Sequence, residues 1–163
     1  MHLLVRLLCF MKAGNNMDNI DKKIIKILQD NARATISVIS SEISLSMPAV
    51  SERLKKLETS GIIQQYTAIL NPEMVDRGLE AVIFFSFENS DREKEFLKYI
   101  PEEKEIKECF LIAGSFDYCM KVCTDSPKSL ENLIFRIKAK GATKTNVMVV
   151  LSYILNKPSV QLS

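Results

Sequence analysis

The sequence predicts an α+β fold in two domains, and two observations support this. Apolar residues recur at helical spacing in three consecutive stretches before residue 61. After residue 61, β-branched and aromatic runs alternate with two further helical stretches in the order β-α-β-β-α-β. A chain of 163 residues, of which 47% are hydrophobic and 26% charged, is long enough to bury two small cores.

The first sixteen residues stand apart from this pattern. They contain a short apolar stretch that is interrupted by Arg6. Such a stretch is too short to span a bilayer, and its order of charge and apolar residues differs from that of a signal peptide. The expected organisation is therefore an arm at 1–16, a first domain at 17–70, a linker at 71–78 and a second domain at 79–157, with no membrane segment.

Three helices are predicted in the first domain. Asp18, Thr35 and Ser46 have side chains that favour the N-cap position, and each precedes an apolar stripe. Gly61 follows the third stripe as the expected stop. The stripes are Ile20, Ile24, Ile27 and Leu28; Ile36, Ile39 and Ile43; and Val50, Leu54 and Leu57.

The connection between the second and third helices is short. Ser44, Leu45 and Ser46 must turn the chain while Leu45 stays in the core, and helices joined by so few residues cross steeply, as in a helix-turn-helix. The third helix is then a candidate reader of double-stranded DNA, because small and hydrogen-bonding side chains near its N-terminus allow a close approach in the major groove. The candidate DNA-binding residues are Ser46, Ala49, Ser51, Glu52, Arg53, Lys55 and Lys56.

Overall charge gives little support to nucleic-acid binding. The formal net charge is only +2, and residues 18–75 carry equal numbers of basic and acidic side chains. The positive charge would have to be presented locally and multiplied by oligomerisation. A three-helix bundle whose surface carries Arg53, Lys55 and Lys56 is therefore an open alternative.

The second half of the chain predicts a small antiparallel sheet. A strand at 62–70 is expected to lead out of the first domain, and Asn71-Pro72 begins the linker. The predicted elements that follow are a strand at 79–88, a helix from the cap Asp91 to Ile100 before Pro101, strands at 106–113 and 118–124 joined by Gly114-Ser115-Phe116-Asp117, a helix opened by Ser126-Pro127, and a strand at 143–155.

This order is the ferredoxin-like plan, a four-stranded antiparallel sheet with both helices on one face. The other sheet face, which includes Val82 and Phe84, needs a partner. A second copy of the same sheet is the simplest partner, so we predict a homodimer through this domain.

The composition argues against metal or thiol chemistry. The four cysteines form no CxxC pair, and the only histidine is His2. The sequence therefore has too few suitably spaced cysteine and histidine side chains for a zinc site or a Cys/His catalytic pair. Neither a metal nor a cofactor is predicted. Cys119 and Cys123 are expected to be ordinary residues of one strand face, and free thiols suit a reduced, cytoplasmic location.

Three stretches resemble the Lrp/AsnC (leucine-responsive, feast/famine) family of transcription regulators: IDKKIIKILQDNAR, LSMPAVSERLKKLETSGIIQQYTAILNPEMV and AGSFDYCMKV. The likeness covers residues 18 to about 155 and is most specific between Ser46 and Glu58. It implies a winged helix-turn-helix domain, a ferredoxin-like (RAM/ACT-like) domain that senses a small molecule, typically an amino acid, and dimers that associate further, often to octamers.

The resemblance also implies roles for particular residues. Residues 36–55 match the family's helix-turn-helix and residues 46–58 its recognition helix. Gly114 and Asp117 match the glycine and aspartate of the effector loop, where glycine lets the backbone approach a carboxylate and aspartate can hold an ammonium group. A turn aspartate that bonds its own backbone is the structural alternative for Asp117.

The sequence departs from the family pattern at two positions. Ser44 stands where the family usually has a turn glycine, which predicts a slightly different turn. Val147 stands where the last strand often has a threonine, which removes a hydroxyl from the neighbourhood of the effector loop.

Two other functions stay open beside a non-enzymatic regulator. Siroheme decarboxylases are similar to this family in both domains, but an enzyme of that kind needs histidine or arginine near the sheet, and the second domain offers only Arg92 and Arg136. DNA packaging without an effector is the other possibility, and it differs from regulation only in degree.

Overall fold

The computed structural model describes residues 17–157 and 159–162, so the predicted arm at 1–16 lies outside the described residues. The chain divides into two compact units. The first, here called the N-terminal unit, contains the described residues up to Ala68 together with the described residues from Lys157 onwards, and the second, the sheet unit, contains Ile69–Asn156.

The three predicted helices of the N-terminal unit are confirmed as α1 (Asn19–Asp30), α2 (Ile36–Ile43) and α3 (Met47–Thr59). Their N-caps are the predicted ones, and the side chains of Thr35 and Ser46 each accept a hydrogen bond from the first turn that follows. At the start of α1 the arrangement is reciprocal: Oδ1 of Asp18 accepts from the backbone of Asp21, whose carboxylate accepts from the backbone of Asp18. These caps satisfy backbone N–H groups that a helix leaves unpaired at its start.

Five buried apolar side chains form the core of the N-terminal unit, and they come from all three helices: Ile24, Ile25, Ile39, Val50 and Leu57. Because each helix contributes to this cluster, the position of α3 depends on α1 and α2. The C-terminal residues pack onto the same unit: Leu162 contacts the cluster, and Nε2 of Gln29 donates to the carbonyl oxygen of Val160 at 3.0 Å.

Ser44 turns the chain between α2 and α3 in a left-handed backbone conformation, with φ 56° and ψ 44°. The turn is closed by the backbone N–H of Leu45, which donates to the carbonyl oxygen of Ser40 at 3.1 Å. A residue with a Cβ is strained in this region of φ and ψ, whereas glycine is not. The serine therefore keeps the turn that a glycine would form, at a conformational cost.

We expect Ser44→Gly to stabilise the protein by about 0.5–1 kcal/mol, because relief of the left-handed strain exceeds the extra entropy of glycine in the unfolded chain. Ser44→Val should destabilise it by about 1–2 kcal/mol, since a β-branched side chain tolerates this conformation poorly. Urea unfolding of the three proteins measures both changes. Equal midpoints for Ser44→Gly and the parent chain would contradict the assigned strain.

The predicted strand at 62–70 is wrong. Residues 64–71 have no regular secondary structure, and residues 64–70 are exposed. The sequence has strand propensity there, but a strand also requires a neighbour for its backbone hydrogen bonds, and no described residue pairs with this segment. It ends at Asn71, whose side chain caps the short 3-10 turn Pro72–Val75 within the predicted linker.

The sheet unit has the predicted order of elements: β1 (Leu79–Phe85), α4 (Ser90–Tyr99), β2 (Ile106–Leu111), β3 (Tyr118–Thr124), α5 (Pro127–Ala139) and β4 (Thr145–Val149). The strands lie in the order β2-β3-β1-β4, and every neighbouring pair is antiparallel. This is the ferredoxin-like arrangement, and the predicted fold class is confirmed.

One face of the sheet carries the core. Ala81, Ile83 and Phe85 alternate along β1 and are buried, as the period of two predicts. They pack with side chains of both helices, among them Phe96 of α4 and Leu133 of α5. The rings of Phe85 and Phe96 are 5.1 Å apart and those of Phe85 and Tyr118 are 5.3 Å apart. The helix-covered face therefore holds the sheet unit together.

Several predicted element ends differ from the structure: β1 and β2 end before the predicted residues 88 and 113, and β4 begins after residue 143. Two further differences have a specific cause. The N-cap of α4 is Asn89 and not Asp91, because Oδ1 of Asn89 accepts from the backbone N–H groups of Asp91 and Arg92 at 2.9 and 3.1 Å. The last strand was predicted to reach Leu155 but ends at Val149. Only one further ladder bond, from Val150 to Glu80, follows, since β1 itself begins at Leu79.

Candidate nucleic-acid interface and effector loop

Helix α3 has one buried side and one side that faces solvent. Val50 and Leu57 are fully buried in the core of the N-terminal unit. Of the seven predicted DNA-binding residues, five are exposed, Ala49 is half-buried and Arg53 is half-buried; the exposed ones are Ser46, Ser51, Glu52, Lys55 and Lys56. If Ser51 or Lys55 were buried, this side of α3 could not contact DNA, but both are exposed.

Lys55 and Lys56 present free positive charge on this surface. Among the described residues, no carboxylate lies within ion-pairing distance of either ammonium group. Both lysines follow Ser51 and Glu52 on the exposed side of α3. An ammonium group without a protein partner is available to a phosphate, and small residues at the start of the helix allow that approach.

Arg53 differs from these lysines because its guanidinium is already engaged. Its NH1 nitrogen lies 2.7 Å from Oδ2 of Asp18 and 2.7 Å from Oδ1 of Asp21, both at the start of α1. The backbone N–H of Asp21, followed by the Arg53 guanidinium, lowers the pKa of Asp18, and the two carboxylates raise the pKa of Arg53. The group predicted as a DNA contact is therefore part of a network inside the N-terminal unit.

The loop Gly114-Ser115-Phe116-Asp117 joins β2 to β3 and is held by residues from distant parts of the sheet unit. The backbone N–H of Asp117 donates to Oγ of Ser86 at 3.2 Å, and Nζ of Lys144 donates to the carbonyl oxygen of Ser115 at 3.1 Å. The Lys144 ammonium also lies 4.8 Å from the ring centroid of Phe116. These contacts hold the loop in a defined position within the sheet unit.

The two predicted effector residues, Gly114 and Asp117, are both exposed. A Cβ added at Gly114 would meet no atom within 4 Å, so open space lies beside this backbone. Asp117 is exposed, and no described residue donates a hydrogen bond to its carboxylate. The alternative of a turn aspartate bonded to its own backbone therefore has no support, and the carboxylate is available to a cation.

Sequence reasoning did not find Ser86 and Lys144 as supports of this loop. They lie 31 and 29 residues from their partners in the chain, and neither belongs to a motif. Val147 packs against the helix-covered core and pairs with Ile83. Its side chain is a core residue of β4.

The open face of the sheet, here meaning the face without helices, carries apolar side chains. Val82 and Phe84 are half-buried, and each lies between residues of β3 and β4: Val82 between Lys121 and Met148, and Phe84 between Cys119 and Asn146. Phe110 and Met148 are also exposed there. Apolar side chains that are exposed to solvent on a sheet face indicate a surface that binds another macromolecule or another copy of the chain.

A cavity of about 430 Å³ in the sheet unit is lined mainly by two segments, residues 69–73 and residues 150–153, the second of which is extended. At its wall, Oε2 of Glu80 accepts from the hydroxyl of Tyr153 at 2.8 Å and from Nζ of Lys107 at 3.3 Å. The hydrogen bond to Glu80 raises the pKa of Tyr153. Residues 69–70 and 151–155 also expose large apolar side chains, namely Ile69, Leu70, Leu151, Ile154 and Leu155.

Within residues 17–157 and 159–162, no group of three or more His, Cys, Asp or Glu side chains is arranged to hold a metal ion. No helix in this same part of the chain combines the length and the apolar character that crossing a membrane requires.

Two family models match the chain. The model of the AsnC-type helix-turn-helix domain matches residues 17–58, and that of the Lrp/AsnC ligand binding domain matches residues 80–160. The two matches correspond to the helices around α3 and to the sheet with its loop.

Individual relatives are similar over nearly their whole length. The HTH-type transcriptional regulator FL11 of Pyrococcus horikoshii is 33% identical over 136 residues, which are 83% of this chain and 89% of that protein. The structure of a transcriptional regulator from Neisseria meningitidis in complex with L-Met has a TM-score of 0.84 and 30% identity, and covers 90% of this chain and 97% of its own.

A feast or famine regulatory protein from Mycobacterium tuberculosis, complexed with L-methionine, is also similar in structure. Its TM-score is 0.81 at 27% identity, and the match covers 88% of this chain and 97% of that one. The relatives are named as regulators, and no observation favours the decarboxylase alternative.

Proposed function

The chain belongs to the Lrp/AsnC family of transcriptional regulators, and from this premise we propose that α3 enters the major groove of double-stranded DNA and reads a specific sequence. The observation that carries the proposal is the exposed, unpaired charge of Lys55 and Lys56 on a helix whose opposite side is buried. Lys55 and Lys56 contact phosphates. The base edges are met by the exposed or half-buried residues Ser46, Ala49, Ser51 and Glu52.

The chemistry of these side chains suits the two kinds of contact. Serine hydroxyls hydrogen-bond to either a base or a phosphate, alanine contacts a thymine methyl group, and glutamate accepts from the amino group of cytosine. The first backbone N–H groups of α3 add a favourable site for a phosphate. Contacts to bases provide specificity, and contacts to phosphates provide most of the affinity and the registration.

A homodimer, formed through the open sheet face, presents two copies of α3 to successive major grooves about one helical turn apart. The half-buried apolar residues of that face and the exposed apolar segments 69–70 and 151–155 support an interface between copies. Dimers associate into a higher oligomer such as an octamer in the cytoplasm. Because one subunit carries a net charge of only +2, strong binding depends on several α3 helices acting together.

The regulator responds to an amino acid that binds at Gly114 and Asp117. The Asp117 carboxylate holds the ammonium group, and the open space beside Gly114 admits the carboxylate to backbone N–H groups. The L-methionine in two solved relatives supports an amino acid as the effector class. Regulation, as opposed to packaging, requires that this ligand change the binding of DNA.

Genome-wide immunoprecipitation of bound DNA, with and without added amino acids, tests this function in one experiment. Discrete sites whose occupancy changes with an amino acid are expected. A flat profile in both states would contradict specific regulation, and discrete sites that no amino acid changes would favour packaging.

The role of Lys55 and Lys56 is tested with DNA of a recovered site. We expect Lys55→Met and Lys56→Met each to weaken binding, and the slope of log affinity against log salt concentration to become shallower by about 0.9 for each phosphate that the protein no longer neutralises. Lys98→Met, an exposed lysine of α4 in the other unit, is the matched control and should leave the slope unchanged. Fluorescence anisotropy over a range of salt concentrations measures all three slopes.

A further inference from the structure

Arg53 is the only predicted DNA-binding residue whose charged group is bound to other side chains of the described chain. A single guanidinium nitrogen makes both 2.7 Å contacts, one to Asp18 and one to Asp21. The partners are separated from Arg53 by 35 and 32 residues, so the contacts join two helices. They connect α3 to the first turn of α1.

The Asp21 carboxylate makes this connection costly to break. Its side chain is only 4% exposed, whereas those of Arg53 and Asp18 are 30% and 49% exposed. A carboxylate that is removed from water needs an opposite charge or several hydrogen bonds. A phosphate that drew Arg53 away would leave Asp21 buried without its cation, so the guanidinium is poorly available to DNA.

The same contacts restrict the orientation of α3 further than its apolar side does alone. Val50 and Leu57 bury area against α1 and α2, but apolar contacts have little directional preference. Charge-assisted hydrogen bonds are short and directional, and two of them meet at one nitrogen here. Ser51 and Lys55 lie two positions to either side of Arg53, so a rotation of α3 about its axis would move both.

We infer that Arg53 is a positioning residue, which holds α3 on the N-terminus of α1 through Asp18 and Asp21 and affects DNA recognition only through that orientation. This replaces the sequence-based expectation of a direct contact. The inference rests on the proposed DNA-binding function, and it gives the two acidic residues a role in recognition although their charge repels DNA.

Substitution of Asp18 distinguishes a positioning role of Arg53 from a phosphate contact, because the two roles predict opposite changes in DNA affinity. Asp18→Asn keeps the N-cap, because asparagine caps as well as aspartate, but it removes one of the two negative charges that face Arg53. If Arg53 contacted a phosphate, this variant would weaken one of the two contacts that hold the guanidinium and remove a repulsive charge, and binding would tighten. If Arg53 positions α3, binding weakens.

Arg53→Met provides the second measurement, because methionine keeps an unbranched stem without the charge. We expect Arg53→Met and Asp18→Asn to lower affinity for a cognate site by about tenfold or more, which corresponds to about 1.4 kcal/mol. The salt slope should stay at the parent value, since the protein still neutralises the same phosphates. The double variant should bind no more weakly than Arg53→Met alone, because the two residues act as one unit.

Anisotropy titrations of the full chain are made at a temperature where circular dichroism shows each variant folded, with Lys55→Met as the control that does lower the slope. A slope shallower by about 0.9 for Arg53→Met, or unchanged or tighter binding by Asp18→Asn, would overturn the inference. If Arg53→Met does not fold, Asp18→Asn decides alone. Failure of the parent chain to bind any DNA would instead overturn the DNA-binding function.

Discussion

Val82→Lys is expected to convert the proposed dimer into monomers and to weaken DNA binding by about 100-fold at equal subunit concentration. Val82 lies at the middle of β1 on the open sheet face, between Lys121 and Met148. In a symmetric interface each substitution appears twice, so two further ammonium groups would be placed in the interface, each directly opposite the ammonium group of Lys121. A monomer then presents one α3 where the dimer presents two.

Sedimentation velocity measures the dissociation, and anisotropy with a two-half-site DNA measures the loss of affinity. Leu97→Lys is the matched control, because Leu97 is an exposed apolar residue of α4 in the same unit and receives the same charge. It should change neither property. A Val82→Lys protein that sediments as a dimer, or a monomer that binds DNA as tightly as the parent, would contradict the proposed interface and the dependence on multivalency.

Gly114→Ala is expected to leave the fold and the DNA binding of the free protein intact while it weakens binding of the proposed amino-acid effector by about ten- to 100-fold. An added Cβ meets no atom within 4 Å, and Gly114 does not have a positive φ, so the chain itself accepts alanine. The methyl group would occupy the space that the ligand carboxylate needs, and polar groups of the ligand would lose their partners at a cost of about 1–3 kcal/mol.

Isothermal titration calorimetry with L-methionine and the other amino acids measures this loss, and thermal unfolding confirms the intact fold. Gly141→Ala is the contrasting variant: its φ is +102°, and a Cβ there would lie 2.9 Å from Cβ of Arg92. It should lower the melting temperature, which Gly114→Ala should not. Unchanged affinity for the effector in Gly114→Ala would show that the ligand binds elsewhere.

The course of α1 to α3 could be predicted from the sequence because the relevant signals are local. A capping side chain, an apolar stripe of period 3.6 and a stop lie within about fifteen residues of one another, and each is independent of the rest of the fold. Ser44 shows the limit of such signals: its left-handed conformation follows from the three-residue turn, although serine itself does not favour it.

Strand ends were predicted less well, for a physical reason. The segment 62–70 has strand composition, and so does the end of the chain after Val150, but neither finds a neighbouring strand among the described residues. A strand exists only when a second segment accepts and donates its backbone hydrogen bonds. Composition indicates that one segment favours an extended conformation, but it does not show whether a second segment lies beside it to form a strand pair.

By itself the sequence determined the helices of the N-terminal unit, the order β-α-β-β-α-β, the buried face of the sheet and the candidate residues on α3 and in the effector loop. Only the tertiary structure decided that Arg53 faces Asp18 and Asp21, and that Ser86 and Lys144 support the loop. Periodicity and capping act between neighbours in the chain, whereas ion pairs and loop contacts join residues about thirty positions apart. Their partners depend on how the elements pack, which no local pattern specifies.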